Sequence, residues 1–221
     1  MRKIGRLFLS VKILMFLSLI CSGTTLTGCA LTQKPKVIEV FLLDPVIPIP
    51  ASPTRLLKGT RIIVDEIESS SLLKSNSIIF GRDALTRGKY QYSEWETPVP
   101  IKLQKLVATA LQASNQFSTV ARNEVIGLPV WKLKLEITDF YHDAQNNPGD
   151  VVIRINASLI NPKGTSIARP ALFEARRPAF TFNAHGAVVS LNEATAQLIP
   201  QITAWTISEI REFRRTGPSK R

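Results

Sequence analysis

The segment WKLKLEI at residues 131–137 alternates apolar and charged side chains with a period of two. Successive side chains of a β-strand point to opposite faces of the sheet, so Trp131, Leu133, Leu135 and Ile137 would share one face. The three charged residues between them would share the other. The pattern predicts a strand that covers a core on one side and meets water on the other.

Turn-like sequences divide the chain after this strand. NNPGD at 146–150 and NPKG at 161–164 are rich in Asn, Pro and Gly, and apolar runs follow them at 151–160 and 172–182. Strands separated by such turns predict an antiparallel meander. Further strands are predicted at 37–43, 61–67, 77–82, 89–95 and 117–121. Of these, the strands at 77–82 and 89–95 are predicted to pair with each other.

Two segments carry helical periodicity. Apolar residues recur at spacings of three and four within 98–114, and Asn115 is a plausible C-terminal stop. A second helix is predicted from Ser190, where Glu193 completes a capping box, with a kink or break at Pro200. The elements together predict an α+β fold: a single compact domain with a mixed, largely antiparallel sheet packed against two amphipathic helices.

The N-terminus has the pattern of a secretory signal. Residues 13–20 are apolar but too short to span a bilayer, which needs about 20 residues. LTGC at 26–29 resembles a bacterial lipobox, which implies cleavage before Cys29 and acyl chains such as palmitate on that cysteine. An ordinary cleaved signal with a chance cysteine is the alternative. The basic residues before the apolar run are Arg2, Lys3, Arg6 and Lys12.

Removal of the signal changes the composition. The full chain of 221 residues has a net charge of +11, whereas the chain from Cys29 onward has 24 Lys+Arg against 17 Asp+Glu, a net charge of +7. This charge favours anionic lipid surfaces or acidic partners, and export makes nucleic acid an improbable partner. Cys21 leaves with the signal, so no thiol pair remains for a disulfide. The predicted organisation is a lipoprotein signal peptide (1–28), a lipidated cysteine and tether (29–36), a domain (37–216) and a basic tail (217–221).

Familiar catalytic and metal-binding motifs are missing from the sequence. It has no Gly-x-Ser-x-Gly elbow, no His-Glu-x-x-His and no phosphate-binding Gly-x-x-x-x-Gly-Lys loop. His142 lies near a predicted strand end and His185 in a predicted loop. The two could meet and bind a metal, but we interpret both as ordinary surface residues. We therefore predict no catalytic residue, no metal site and no cofactor.

An aromatic and acidic cluster before the first helix is the best candidate for recognition. The cluster contains Tyr90, Tyr92 and Trp95, together with the acidic residues Glu94 and Glu96. We predict that the three aromatic side chains lie near a partner-binding surface. The alternative is a strand that packs its aromatic residues on the core, as many strands do.

Several spacings resemble one protein family. They are Tyr92-x-x-Trp95-x-x-Pro98, the helix end Ala110-Leu111-x-x-Ser114, and Phe117-x-x-Val120. Residues 41–43, 61–64 and 133–140 resemble its first, second and central strands, and the helix with Trp205 resembles its closing helix. The pattern is similar to the ABC-type transport auxiliary lipoprotein component family, that of paraquat-inducible protein C. Phe41 and Asn115 depart from it, standing where the family usually has Tyr and Gly.

The resemblance implies a non-catalytic role in a lipid-transporting ABC system. The expected partners are a protein with an MCE (mammalian cell entry) domain and its ABC permease and ATPase, with homo-oligomers as a further option. Ala30 is not the aspartate that commonly retains lipoproteins in the inner membrane, which favours the inner leaflet of the outer membrane, facing the periplasm. Two alternatives stay open: a direct lipid-binding module, and a lipoprotein that regulates cell-wall synthases.

Overall fold

The structure is a computed structural model that describes residues 36–48, 57–122, 129–167 and 169–217. The predicted signal peptide, Cys29, most of the predicted tether and most of the predicted basic tail lie outside the described residues. The described chain from Val37 onward forms one compact unit.

Nine strands and two helices make up the described chain, and both predicted helices are present. In chain order they are β1 (Glu39–Phe41), β2 (Arg61–Val64), β3 (Glu68–Ser69), β4 (Ser77–Gly81), β5 (Gly88–Trp95), α1 (Val99–Ala113), β6 (Thr119–Ala121), β7 (Trp131–Asp143), β8 (Asp150–Ile160), β9 (Ala171–Pro178) and α2 (Ala184–Thr216).

All strands belong to one mixed, open sheet, which confirms the predicted α+β class. Its path runs β1-β5-β4-β7-β2-β6, and β7 pairs β8, which pairs β9. The β7–β8, β8–β9 and β4–β5 pairings are antiparallel, which confirms the predicted meander and hairpin. The short strands β2, β3 and β4 instead lie in succession along one edge of β7, each parallel to it.

Both helices cover the same face of the sheet. Leu103 and Val107 of α1 meet Leu198 and Ile202 of α2 over Ile153 of β8. These side chains are buried within one apolar cluster that spans the described domain. The opposite face of β7–β9 carries charged residues, so the alternation read from residues 131–137 is confirmed.

Helix α1 ends close to where the sequence predicts. Its last residue is Ala113, and Asn115 adopts a left-handed φ of 58°. Asn tolerates this conformation better than most residues, because its short polar side chain can bond locally. The predicted stop at Asn115 is therefore confirmed.

Helix α2 begins earlier than predicted. Asn183 caps it, its side-chain Oδ1 accepting a hydrogen bond from Gly186 N at 2.8 Å. The predicted start at Ser190 is wrong, since Ser190 lies inside the helix and its Oγ accepts from Phe180 N at 3.0 Å. The helix also continues through Pro200 to Thr216 without the expected break. Although α2 is long, no helix in the described ranges is apolar enough over its length to cross a membrane.

Candidate functional site

Trp95 lies in the core and not on a surface. Its side chain is 2% exposed and meets the ring of Phe140 edge-on at 6.1 Å. The cause is strand geometry: Ser93 and Trp95 point inward at the end of β5, while Glu94 between them points outward. The prediction that Trp95 lies at a partner-binding surface is therefore wrong, and the core-packing alternative holds for this residue.

Tyr90 is partly buried and joins a polar chain with a buried histidine. Its hydroxyl lies 2.6 Å from Nδ1 of His142, whose Nε2 lies 2.8 Å from the carbonyl oxygen of Pro148. A carbonyl can only accept, so Nε2 carries a proton, and in the tautomer with its single proton on Nε2 the Tyr90 hydroxyl donates to Nδ1. Burial raises the pKa of the Tyr90 phenol to about 12, against a smaller lowering by Arg82.

The two histidines differ from each other in environment. His142 is fully buried, so its interpretation as a surface residue is wrong, whereas His185 is exposed as predicted and its ring meets Phe41 at 6.1 Å. The described residues hold no group of three or more His, Cys, Asp or Glu side chains placed to bind a metal ion.

A bulge in β7 explains why His142 points inward. The register of β7 against β8 shifts between Ile137 and Asp139, so the inward-facing residues change from odd to even numbers. Gly149 closes the turn over the ring with a φ of 77°, and a Cβ there would lie 2.9 Å from His142 Nε2. Glycine is thus required both by the backbone conformation and by the close approach.

Charged residues near the same end of the sheet pair with one another. Arg176 reaches Asp143 at 2.6 Å and Asp150 at 2.8 Å. Burial tends to raise the pKa of Asp143, but the hydrogen bonds from Arg176 and Gln145 outweigh it and hold that pKa below its usual range. Such pairing fits a structural role, because both carboxylates are already occupied by a cation.

In the described part of the chain, the space between the helices and the sheet is too small for a lipid. Between α1, α2 and the sheet the apolar gap measures about 10 Å³ and is lined by side chains such as Leu103, Ile155 and Leu198. A ligand pocket usually needs about 300–1,000 Å³. A cavity of about 410 Å³ is an open groove between the 161–167 turn and the end of α2.

The first strand presents an exposed apolar edge, here called the β1 edge and defined by Ile38, Val40, Leu42 and Tyr92. β1 is the outermost strand on its side of the sheet and pairs only with β5 among the described strands. All four side chains are exposed, and Val40 is 61% exposed. The intervening Phe41 and Leu43 face the core. Of the three predicted partner-binding aromatics, Tyr92 alone lies on this outer surface.

A side chain that the sequence analysis missed holds this strand in place. Asn192 of α2 accepts a hydrogen bond from Asp44 N at 2.7 Å and donates one to the carbonyl oxygen of Leu42 at 3.1 Å. One amide thus binds the main chain on both sides of Leu43, which is buried. A lone Asn within a helical pattern gives no sequence signal for such a contact over 148 residues.

The described domain thus combines a tightly packed space between helices and sheet with an exposed edge strand. The family comparison gives this domain its class: the chain belongs to the ABC-type transport auxiliary lipoprotein component family, whose sequence profile matches residues 41–203. Membership makes the protein an auxiliary component of an ABC-type transport system and places it in the cell envelope. It also confirms the resemblance drawn from the sequence.

Solved structures share the fold at low sequence identity. Protein XCC0632 from Xanthomonas campestris, of the family DUF330, is 18% identical with a TM-score of 0.69, covering 80% of this chain and 99% of that one. A crystal structure of an uncharacterised protein is 15% identical with a TM-score of 0.61, covering 76% and 98%. No curated protein sequence matches the chain.

Proposed function

We propose that this protein is the lipid-anchored docking subunit of an ABC transporter that moves lipid between membranes. It is acylated on Cys29, sits in the inner leaflet of the outer membrane, and binds an MCE-domain protein associated with the permease and ATPase. It performs no chemistry. Family membership supports the transporter, and the sequence motif at 26–29 supports the anchor.

The observation that carries the docking role is the β1 edge. An exposed edge strand offers unpaired main-chain groups on which a partner can add a strand. Burial of an exposed aliphatic side chain contributes about 1.5–3 kcal/mol. Burial of Val40 and of Leu42 under a partner would each stabilise the complex in this way, and Tyr92 lies beside them on β5.

The direct lipid-binding alternative has less support. An acyl chain needs a continuous apolar cavity, whereas the gap between helices and sheet is about 10 Å³. The remaining alternative, regulation of cell-wall synthases, would use the same surface and differs only in the partner.

A crosslinked pull-down tests the proposal. The full-length protein is crosslinked in its native envelope, solubilised in detergent, captured and read by mass spectrometry. The test variant is Val40→Lys, which places a charge on the β1 edge opposite Glu94, its register partner. Leu172→Lys is the matched control, because Leu172 is also an exposed aliphatic residue but lies on β9.

We expect the parent and Leu172→Lys to enrich an MCE-domain protein, its permease and its ATPase. Val40→Lys should enrich these partners at least about tenfold less, a difference that corresponds to about 1.4 kcal/mol of binding free energy. Equal capture by all three proteins would overturn the assignment of the β1 edge. Enrichment of cell-wall synthases would favour the regulator, and recovery of abundant porins alone would contradict the docking role.

A further inference from the structure

One end of the sheet gathers three loops, and we call it the loop end. There β4 finishes at Gly81 beside Asp143, the last residue of β7. Asp150, the first residue of β8, pairs with Pro178, the last residue of β9. β5 starts at Gly88, opposite Phe80 of β4. The loops 82–87, 144–149 and 179–183 therefore leave the sheet together.

Large apolar side chains point into solvent from two of these loops. Leu85 is 95% exposed and Phe180 is 70% exposed, whereas Phe182 is 49% exposed and its ring meets that of His142 edge-on at 5.8 Å. Their backbones are held in place: Asp83 Oδ1 accepts hydrogen bonds from Leu85 N at 2.8 Å and Thr86 N at 2.7 Å. Phe180 N donates to Ser190 Oγ at 3.0 Å. The loops thus present these side chains outward while their main chains are fixed.

The charge around these side chains is positive. The 82–89 segment carries Arg82, Arg87 and Lys89 against one carboxylate, Asp83, and the 179–183 segment carries no charge. At the same end Asp143 and Asp150 share the single cation Arg176, and Arg87 lies 3.9 Å from Asp139, so the cations of this end that face no carboxylate in a described ion pair include Arg82 and Lys89. Cations around exposed aliphatic and aromatic side chains are the pattern of surfaces that bind anionic lipid headgroups.

The start of the described chain points to the same end. β1 is parallel to β5, and β5 begins at the loop end, so the chain before β1 comes from that side. Cys29 precedes Val37 by eight residues, and eight extended residues span at most about 29 Å. An acyl anchor on Cys29, which is part of the proposed function, would therefore keep Val37 within about 29 Å of the bilayer.

We infer that the loop end is a membrane-contact surface: Leu85, Phe180 and Phe182 insert into the headgroup region of the bilayer, and Arg82 and Lys89 contact anionic lipid phosphates. A bilayer fits better than a protein partner, because the exposed apolar side chains protrude from two separate loops. The inference assigns this end to lipid and leaves the β1 edge for the protein partner.

Site-specific fluorescence tests the inference on the full-length gene product purified from membranes. Leu85→Cys and Phe180→Cys are labelled with a nitrobenzoxadiazole fluorophore and reconstituted into vesicles of phosphatidylcholine, with or without phosphatidylglycerol. Leu172→Cys is the matched control, and the parent without an added cysteine supplies the background. Quenching by doxyl-labelled lipid reports whether each label lies within the bilayer, and the intact mass reports whether Cys29 is acylated.

We expect blue-shifted emission and severalfold stronger quenching at positions 85 and 180 than at position 172, increased by phosphatidylglycerol. Equal, water-like emission at all three positions on an acylated protein would overturn the membrane contact and leave the proposed function intact. Quenching at 85 and 180 on a protein without acylation would support the contact and overturn the anchor. Protection of both labels by a bound protein, without lipid quenching, would assign the loop end to a protein partner instead.

Discussion

Replacing Tyr90 with Phe removes one oxygen atom from the described structure and leaves the aromatic ring. The ring keeps its packing on Phe80 at 5.0 Å and its stacking over His142 at 6.3 Å. What is lost is the 2.6 Å hydrogen bond to His142 Nδ1, a lone pair on a fully buried ring. A buried acceptor left without a donor costs about 1–3 kcal/mol. In a domain of this size, each kcal/mol lowers the Tm by about 2–4 °C, so we expect a drop of about 2–12 °C.

Urea unfolding followed by tryptophan fluorescence measures this cost. Tyr141→Phe is the matched control, because it also deletes one hydroxyl and keeps its ring beneath the Arg87 guanidinium, 3.9 Å away. We expect the control to change the free energy of unfolding by less than about 0.5 kcal/mol. If the two variants unfold at the same urea concentration, the Tyr90–His142 hydrogen bond contributes nothing and the assigned tautomer loses its support.

The pH dependence gives a second readout of the same contact. The folded protein holds the Tyr90 pKa at about 12, above its ordinary value of 10.0. The neutral phenol is therefore favoured by folding, and its contribution is complete below pH 10 and declines as the pH rises from 10 to 12. The stability difference between the parent and Tyr90→Phe should shrink across this window. A difference that stays constant or grows would refute the assignment.

Two further substitutions test the packing around the first strand. Trp95→Ala should cost about 3–5 kcal/mol of unfolding free energy by urea denaturation, because the indole is buried, and a cost below about 1 kcal/mol would contradict its core position. Asn192→Ala should raise the hydrogen-exchange rate of the Asp44 amide about tenfold, equivalent to about 1.4 kcal/mol. Asn156→Ala, which removes only an exposed bond to Glu136, should leave that rate unchanged.

The sequence predicted the elements whose cause is local. The alternation at 131–137 identified the first half of β7, and the Asn-Pro-Gly turns identified its partners. The second half of β7 was missed because the bulge after Ile137 inverts the alternation. That inversion depends on pairing with β8, and it is what buries His142. The alternation within one strand therefore cannot predict the inversion.

Other features depend on contacts between distant residues. Residues able to cap a helix stand at both Asn183 and Ser190. Asn183 caps α2, while Ser190 Oγ accepts a hydrogen bond from Phe180 N, a contact that the sequence alone does not reveal. The parallel pairings of β2, β3 and β4 with β7 join strands that are distant in the sequence. No local turn connects them, so no turn motif could predict these pairings. For the candidate site, the aromatic pattern pointed to the correct strand. It could not tell which of Trp95 and Tyr92 is buried, because the face of β5 that meets the core is decided by contacts with distant residues such as Phe140.

The parallel pairing of β1 with β5 also has a mechanical consequence. A pull on the chain before Glu39, directed towards the loop end, would act along the strand axis, since the hydrogen bonds to β5 run across it. Those bonds and the two from Asn192 would share the load and fail together, whereas a pull across the strand would break them one at a time. A strand of only three residues is thus loaded in shear, and the domain would resist tension from the proposed anchor without a long N-terminal strand.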